Sequence, residues 1–224
     1  MGSTTHPSAW RGRIARAAVG VLGAVVLLCG CTGDDEGGAN ASMATEQTAA
    51  DGTVFNAADV EFARAMIAHH RQTVEIADLA SVPGNEASTW LVPLADRIKA
   101  EQLADIDRLQ ALLDSWDPPV GSGATATSDD VDGVADPTQT PGALGMMSAD
   151  EMIELTTTTG GDFDRLWLAM MIRHHEGAVA MCKQLLVDGR SAQLQSLAAT
   201  VSSAHQVQLS EMNAALKVVS PTGR

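Results

Sequence analysis

The residues best suited to chemistry are two adjacent histidine pairs, each set in an apolar run that contains methionine. His69 and His70 lie in MIAHHRQTVEIA, and His174 and His175 lie in MMIRHHEGAVAM. Burying an imidazole without a partner costs about 1–3 kcal/mol, so four such groups must bond each other, bind water or hold a cation. Imidazole combined with thioether suits copper, Cu(I) especially, with Ag(I) as a chemical mimic.

Further donor side chains lie within two helical turns of these pairs or on a neighbouring predicted helix. Met66 precedes His69 by three residues and His70 by four, so the three share a helical face, and the second pair repeats this relation. Cys182 is explained equally well as a small buried hydrophobic residue. The candidate metal ligands are His69, His70, His174, His175, Met66, Met171, Met170, Met181, Cys182 and His205.

Helices must position these residues, because the apolar periodicity is helical and no segment alternates clearly enough to predict a strand. Asp59 is the predicted N-cap of the first helix, and Ser148 with Glu151 fits a capping box. Pro93 is a candidate bend early in the second helix. The predicted helices span about residues 59–80, 86–116, 148–155, 162–187 and 191–219.

The periodicity also predicts where the histidines point. Steps of three and four residues place His69 and His174 on the apolar seams of their helices. His70 and His175 are rotated by about 100° from those seams, so we expect them to be half-buried.

The two helical blocks are repeats of one another. Met66 aligns with Met171, His69 with His174, and Gln102 with His205, which is a fifth candidate ligand histidine. Each hairpin has an apolar stripe that it cannot bury alone. The sequence therefore predicts an all-α four-helix domain over residues 54–220, with repeats 54–117 and 146–220 and a long central linker over 118–145.

The N-terminal segment has the pattern of a secretory signal. Residues 1–31 carry three arginines and then a short apolar run, too short to be a confident membrane span. Leu28-Cys29-Gly30-Cys31 resembles a bacterial lipobox, which implies cleavage before Cys31 and its lipidation; an ordinary secretory signal is the alternative. Residues 32–53 are small and polar, as in a flexible tether. We expect a lipoprotein on the extracytoplasmic face of the cell membrane.

Charge and composition exclude several functions. The formal net charge of −14 excludes nucleic acid as a partner and leaves the lipid anchor as the means of membrane attachment. No Ser-His-Asp arrangement or Gly-rich phosphate loop is evident, so an enzymatic role is the least favoured. The sequence does not identify a protein partner.

The type of metal site is also constrained. A ferritin di-iron site needs Glu-x-x-His on its helices, and that motif does not occur in this chain. A zinc site with several thiolates is excluded, because Cys182 is the one cysteine left once Cys29 is removed and Cys31 is lipidated. Two interpretations stay ahead of catalysis: a copper-binding protein that buffers or traffics the metal, and a structural or partner-binding protein whose histidines form a buried polar network.

These motifs resemble a known bacterial family. DVEFARAMIAHHRQTVEIADLA, GMMSADEMIEL and FDRLWLAMMIRHHEGAVAMCKQLL are similar to the secreted family known as domain of unknown function 305. The resemblance implies a ferritin-like bundle of two repeats, and some members are linked to copper handling outside the cytoplasm. Its motif histidines and methionines fall on His69, His70, His174, His175, Met66 and Met171. Cys182 and His205 depart from the family pattern, where Ala and Gln are usual.

Overall fold

The chain folds into two helical hairpins that together form a four-helix bundle. The computed structural model describes residues 45–116 and 144–219. Its helices are α1 (Ala57–Leu79), α2 (Leu91–Trp116), α3 (Ala149–Thr157), α4 (Gly160–Asp188) and α5 (Ala192–Val219). The predicted all-α, ferritin-like bundle of two repeated hairpins is thus confirmed. None of the described helices is long and apolar enough to cross a membrane.

Several predicted features lie outside the described residues. These are the signal segment 1–31 with its lipidation site Cys31, residues 32–44 of the tether, and residues 118–143 of the linker. The described end of the tether contains β1 (Gln47–Thr48), which pairs antiparallel with β2 (Val54–Phe55). The sequence did not predict these strands, since two residues are too few to show alternation.

The observed starts of two helices differ from the predicted starts. The N-cap of α1 is Asn56 rather than the predicted Asp59, which occupies the third helical position of a capping box. The predicted capping box of Ser148 and Glu151 is confirmed at α3. The second helix begins at Leu91 and not near residue 86, because Glu86 takes a left-handed backbone conformation with φ of 50° that interrupts a helix.

The buried apolar side chains form two clusters, one toward each end of the bundle. On α1 the first cluster contains Ile76, and the second contains Met66 and Ile67. On α4 the first cluster ends at Ile172, and the second begins at Ala178. Both histidine pairs lie between these limits, so the histidines occupy a polar band between two apolar halves.

A reciprocal pair of carboxylates links the hairpins. Asp59 Oδ2 on α1 accepts hydrogen bonds from the backbone N–H groups of Arg190 (2.9 Å) and Ser191 (3.0 Å), at the turn before α5. Asp164 Oδ1 on α4 accepts one from Ser88 N–H (3.1 Å), in the connection before α2. Both aspartates are buried. Each hairpin's first helix therefore holds the turn of the other hairpin.

Candidate metal centre

Five histidines from three helices gather in the polar band, and we call them the histidine layer: His69, His70, His174, His175 and His205. Each is at most 2% exposed. The predicted seam positions of His69 and His174 agree with this burial, but the prediction that His70 and His175 are half-buried is wrong. The reason is that α1 packs against both α2 and α4, and α4 against both α1 and α5, so each buries more than one seam.

The first histidine of each pair meets its counterpart across the α1–α4 interface. The ring centroids of His69 and His174 are 3.7 Å apart, with the planes tilted by 45°. His69 Nε2 lies 3.0 Å from the Leu144 carbonyl, which can only accept, so the proton sits on Nε2 and Nδ1 keeps a lone pair. His174 Nδ1 contacts the Thr73 hydroxyl at 3.2 Å. His69 Nδ1 and His174 Nε2 have no hydrogen-bond partner.

A short backbone segment, residues 144–147, covers this pair, and we call it the strap. The Gln72 side chain holds the strap at Met147, donating to its carbonyl (2.9 Å) and accepting from its N–H (2.8 Å). The other end of the strap supplies the carbonyl that fixes the His69 ring.

Two glycines allow the strap to approach α4. A Cβ at Gly177 would lie 1.9 Å from the Leu144 carbonyl oxygen, and a Cβ at Gly145 would lie 2.4 Å from the Arg173 carbonyl oxygen. Gly145 also has a φ of 77°, which favours glycine. Sequence reasoning missed the strap, although a glycine inside a helix can mark close backbone approach and Gly177 is such a residue.

The second histidines lie beside His205 on α5. The ring centroid of His205 is 4.5 Å from that of His175 and 5.6 Å from that of His70. His175 Nε2 donates to Gln208 Oε1 at 2.9 Å. His205 Nδ1 donates to the carbonyl one turn earlier (2.9 Å), and its Nε2 contacts the Gln102 amide (3.2 Å). Both nitrogens of His205 are thus engaged, whereas neither nitrogen of His70 has a hydrogen-bond partner.

Burial makes all five imidazoles weak bases. It lowers the pKa of His69 to about 4, opposed by the Leu144 carbonyl, and the pKa of His70 to about 3, helped by neighbouring histidines. It lowers the pKa of His175 to about 4, opposed by Gln208 and the Met171 carbonyl, although no hydrogen bond of normal geometry joins the latter. Burial and nearby histidines hold the pKa values of His174 and His205 well below 6.5. At neutral pH the layer is therefore uncharged, the state in which imidazole binds metals.

Two carboxylates of α2 are connected to the layer, one by direct contact and one through Gln208, and sequence reasoning did not identify them. Asp105 Oδ2 lies 4.0 Å from His70 Nε2, and Asp105 Oδ1 accepts from Arg108 at 2.8 Å. Burial raises the pKa of Asp105, with Arg108 opposing. Glu101 Oε2 accepts from the Gln208 amide at 2.6 Å. Because His70 is neutral, its contact with Asp105 is not an ion pair at pH 7.

The predicted sulfur ligands flank the layer. Met170 and Met171 belong to the first apolar cluster, and Met66, Met181 and Cys182 belong to the second. All five are buried. Burial raises the pKa of Cys182 to about 12, so at neutral pH the residue is a thiol rather than the thiolate that binds metal.

The donor types in the histidine layer suit a soft cation, but they are not arranged around one common position. No group of three or more His, Cys, Asp or Glu side chains within residues 45–116 and 144–219 is arranged to hold a metal ion. Five buried imidazole nitrogens nevertheless lack any partner: His69 Nδ1, His70 Nδ1, His70 Nε2, His174 Nε2 and His175 Nδ1. In a neutral imidazole one nitrogen carries the proton and the other can bind a metal, so each of these four rings has at most one free donor. A cation held by two of these rings would take a third ligand from a thioether or a reoriented side chain.

Fold and site define a ferritin-like four-helix protein with a buried histidine layer. The chain belongs to the DUF305 family, the domain of unknown function whose family model matches residues 59–216. Among curated proteins no match is found.

Solved structures of the same family are similar in fold. A DUF305 fragment from Deinococcus radiodurans is 24% identical, with a TM-score of 0.58, over 76% of this chain and 99% of that one. A DUF305 protein from Streptomyces coelicolor, described as a candidate secreted protein, is 26% identical, with a TM-score of 0.59, over 72% and 93%. CopM in its Cu(I)-bound form is 22% identical, with a TM-score of 0.51, over 71% and 95%.

Proposed function

We propose that this protein binds copper, as Cu(I), outside the cytoplasm, and buffers or traffics it through the histidine layer. His69 and His174 form the primary binding pair, and His70 and His175 are the next donors. Met66, Met171, Met170, Met181 and Cys182 are the flanking soft donors. His205 supports the layer, since both of its nitrogens are engaged.

The observation that carries this proposal is the pair of facing imidazoles. Their centroids lie 3.7 Å apart, and each ring keeps one unpartnered nitrogen in a fully buried setting. Buried polar atoms without partners destabilise the fold, and a bound ion would satisfy them. Neutral imidazole and thioether groups favour a soft cation over Mg²⁺ or Ca²⁺.

The structural neighbours support the metal and the compartment. CopM has been solved with Cu(I) and with Cu(II) bound, and one neighbour is described as a candidate secreted protein. A lipidated Cys31 would hold the domain at the outer face of the cell membrane. Purification of membrane-extracted protein followed by mass spectrometry of its N-terminal peptide tests this anchor, and a free, unmodified N-terminus would contradict it.

Calorimetric titration tests the metal. Protein purified without chelators is expected to take up Cu(I) or Ag(I) and to gain thermal stability in proportion to metal concentration. The double variant His69→Asn/His174→Asn should lose this binding, while the control His205→Gln should keep it. Failure of the wild-type protein to take up Cu(I), Ag(I), Zn²⁺ or iron refutes the proposal.

A structural polar network is the second candidate function. It is favoured by the hydrogen bonds that Gln102 and Gln208 make to His205 and His175. In that case the double variant should lose the same stability with or without metal, because the histidines then act only through one another. Stability of the double variant equal to that of wild-type protein in chelator would contradict this alternative.

A further inference from the structure

A chain of polar contacts leads from solvent into the histidine layer between α2 and α5. Glu101 is exposed, and its Oε2 accepts from the amide of Gln208 at 2.6 Å. Gln208 is buried, and its Oε1 accepts from His175 Nε2 at 2.9 Å. An exposed carboxylate is thereby connected to a fully buried imidazole through one side chain.

Asp105 lies one helical turn beyond Glu101 and faces a second imidazole of the layer. Its side chain is 11% exposed, and Oδ2 lies 4.0 Å from His70 Nε2. His70 is fully buried and makes no hydrogen bond at either nitrogen. Arg108 binds Oδ1, the other oxygen, from the solvent side, with its own side chain 60% exposed. An unpartnered His70 nitrogen thus faces a carboxylate oxygen that is only partly shielded from solvent.

On the strap side of the described structure, the layer is covered by backbone and not by carboxylate side chains. There the Leu144 carbonyl covers the His69 ring, and the backbone of Gly177 is in direct contact with the strap. On the α2–α5 side, by contrast, Asp105 lies beside His70, and Glu101 is connected to His175 through Gln208. A cation approaching from solvent is therefore attracted to the α2–α5 side.

We propose that Glu101 and Asp105 form an access port, through which a soft metal cation passes from solvent to His175 and His70. This inference rests on the proposed function. Carboxylate oxygens are hard ligands that hold a soft cation weakly, while imidazole and thioether hold it better. The port therefore raises the local concentration of the cation, which then transfers to the imidazoles. It affects the rate of uptake more than the final affinity.

Uptake kinetics of the full-length protein test the port. Cu(I) is supplied as a coloured complex with a chromogenic chelator, and stopped-flow absorbance follows its transfer. Asp105→Asn and Glu101→Gln each remove one negative charge beside the path, which at about 4 Å in water corresponds to a rate about fivefold lower. The equilibrium affinity should stay within about twofold of wild type, since neither residue holds the metal at the end. The matched control is Asp107→Asn, an exposed aspartate of the same helix.

Arg108 supplies a test of opposite sign. Arg108→Gln removes the cation that binds Asp105 Oδ1, so uptake should become faster, and the differences among variants should shrink at high salt. If Asp105→Asn does not fold, as judged by circular dichroism, Glu101→Gln decides the matter at an exposed position. Rates of Glu101→Gln and Arg108→Gln equal to that of Asp107→Asn overturn the port while wild-type binding stands. Absence of wild-type uptake instead overturns the proposed function and the port with it.

Discussion

Acidification is expected to destabilise the metal-free protein because its histidines are buried in the neutral form. The folded pKa values of His69 and His175 are about 4 and that of His70 is about 3, against 6.5 for an exposed imidazole. Between these values the unfolded chain binds protons that the folded chain cannot, so stability falls as the pH falls. The loss begins near pH 6.5 and continues to about pH 4 for His69 and His175 and to about pH 3 for His70.

The magnitude follows from the same pKa values. Lowering the pH from 7.5 to 5 costs about 2 kcal/mol for each of the three histidines, and the limiting slope is about 1.4 kcal/mol per pH unit for each. Three together approach ~6 kcal/mol, which is comparable to the whole free energy of unfolding of a typical domain, about 5–15 kcal/mol. Acidification to pH 5 should therefore remove a large part of the free energy of unfolding.

Urea denaturation at a series of pH values, in chelator and followed by circular dichroism, measures this dependence. His69→Gln removes one titrating group and should lower the slope by about 1.4 kcal/mol per pH unit. A free energy of unfolding that changes by less than about 1 kcal/mol between pH 7.5 and 5 would refute the reasoning. It would mean that the imidazoles are solvated or already paired with a proton acceptor.

Three further predictions concern stability and reactivity. Gly177→Ala should lower the thermal midpoint sharply, because the new Cβ would lie 1.9 Å from a strap carbonyl oxygen. Gly161→Ala in the same helix should be neutral or stabilising, because its new Cβ would lie 3.6 Å from the nearest atom. Equal midpoints for the two variants would contradict the packing of the strap. Asp59→Ala should reduce the free energy of unfolding by about 1–3 kcal/mol for each buried N–H left without an acceptor. The reduction should exceed that of Asp164→Ala, because Asp59 accepts two hydrogen bonds from the other hairpin and Asp164 accepts one. Urea midpoints in the reverse order would contradict this. Alkylation of Cys182 at pH 8 should follow global unfolding, because the thiol is buried with a pKa of about 12; rapid labelling of its peptide in native protein, seen by mass spectrometry, would show otherwise.

Much of the bundle could be predicted from the sequence, because its helices carry clear apolar periodicity. The seams through His69 and His174 and the repeated hairpins follow from spacing alone. The full burial of His70 and His175 could not, since it depends on two neighbouring helices packing around each of α1 and α4. Periodicity describes one helix at a time, whereas burial is a property of the assembly.

The polar partners of the histidines were equally hidden from sequence reasoning. Gln208 and Asp105 are far from the histidine pairs along the chain, and their side-chain types are common on helix surfaces. The carbonyl of Leu144 carries no signal in residue type at all, because every residue has one. The glycines at 145 and 177 were the available clue to the strap, through the backbone contact that each permits.

The reciprocal hydrogen bonds that Asp59 and Asp164 accept from opposite hairpins have a consequence for symmetry. Asp59 of the first repeat contacts the turn at Ser191, and Asp164 of the second contacts the matching turn at Ser88. An interface in which one residue meets another, and the equivalents meet in return, is isologous, the kind formed by two-fold homodimers. Each hairpin thus carries both halves of the contact that it needs. In this one contact a single hairpin matches itself, so the covalent connection between the repeats joins two surfaces that already correspond to each other.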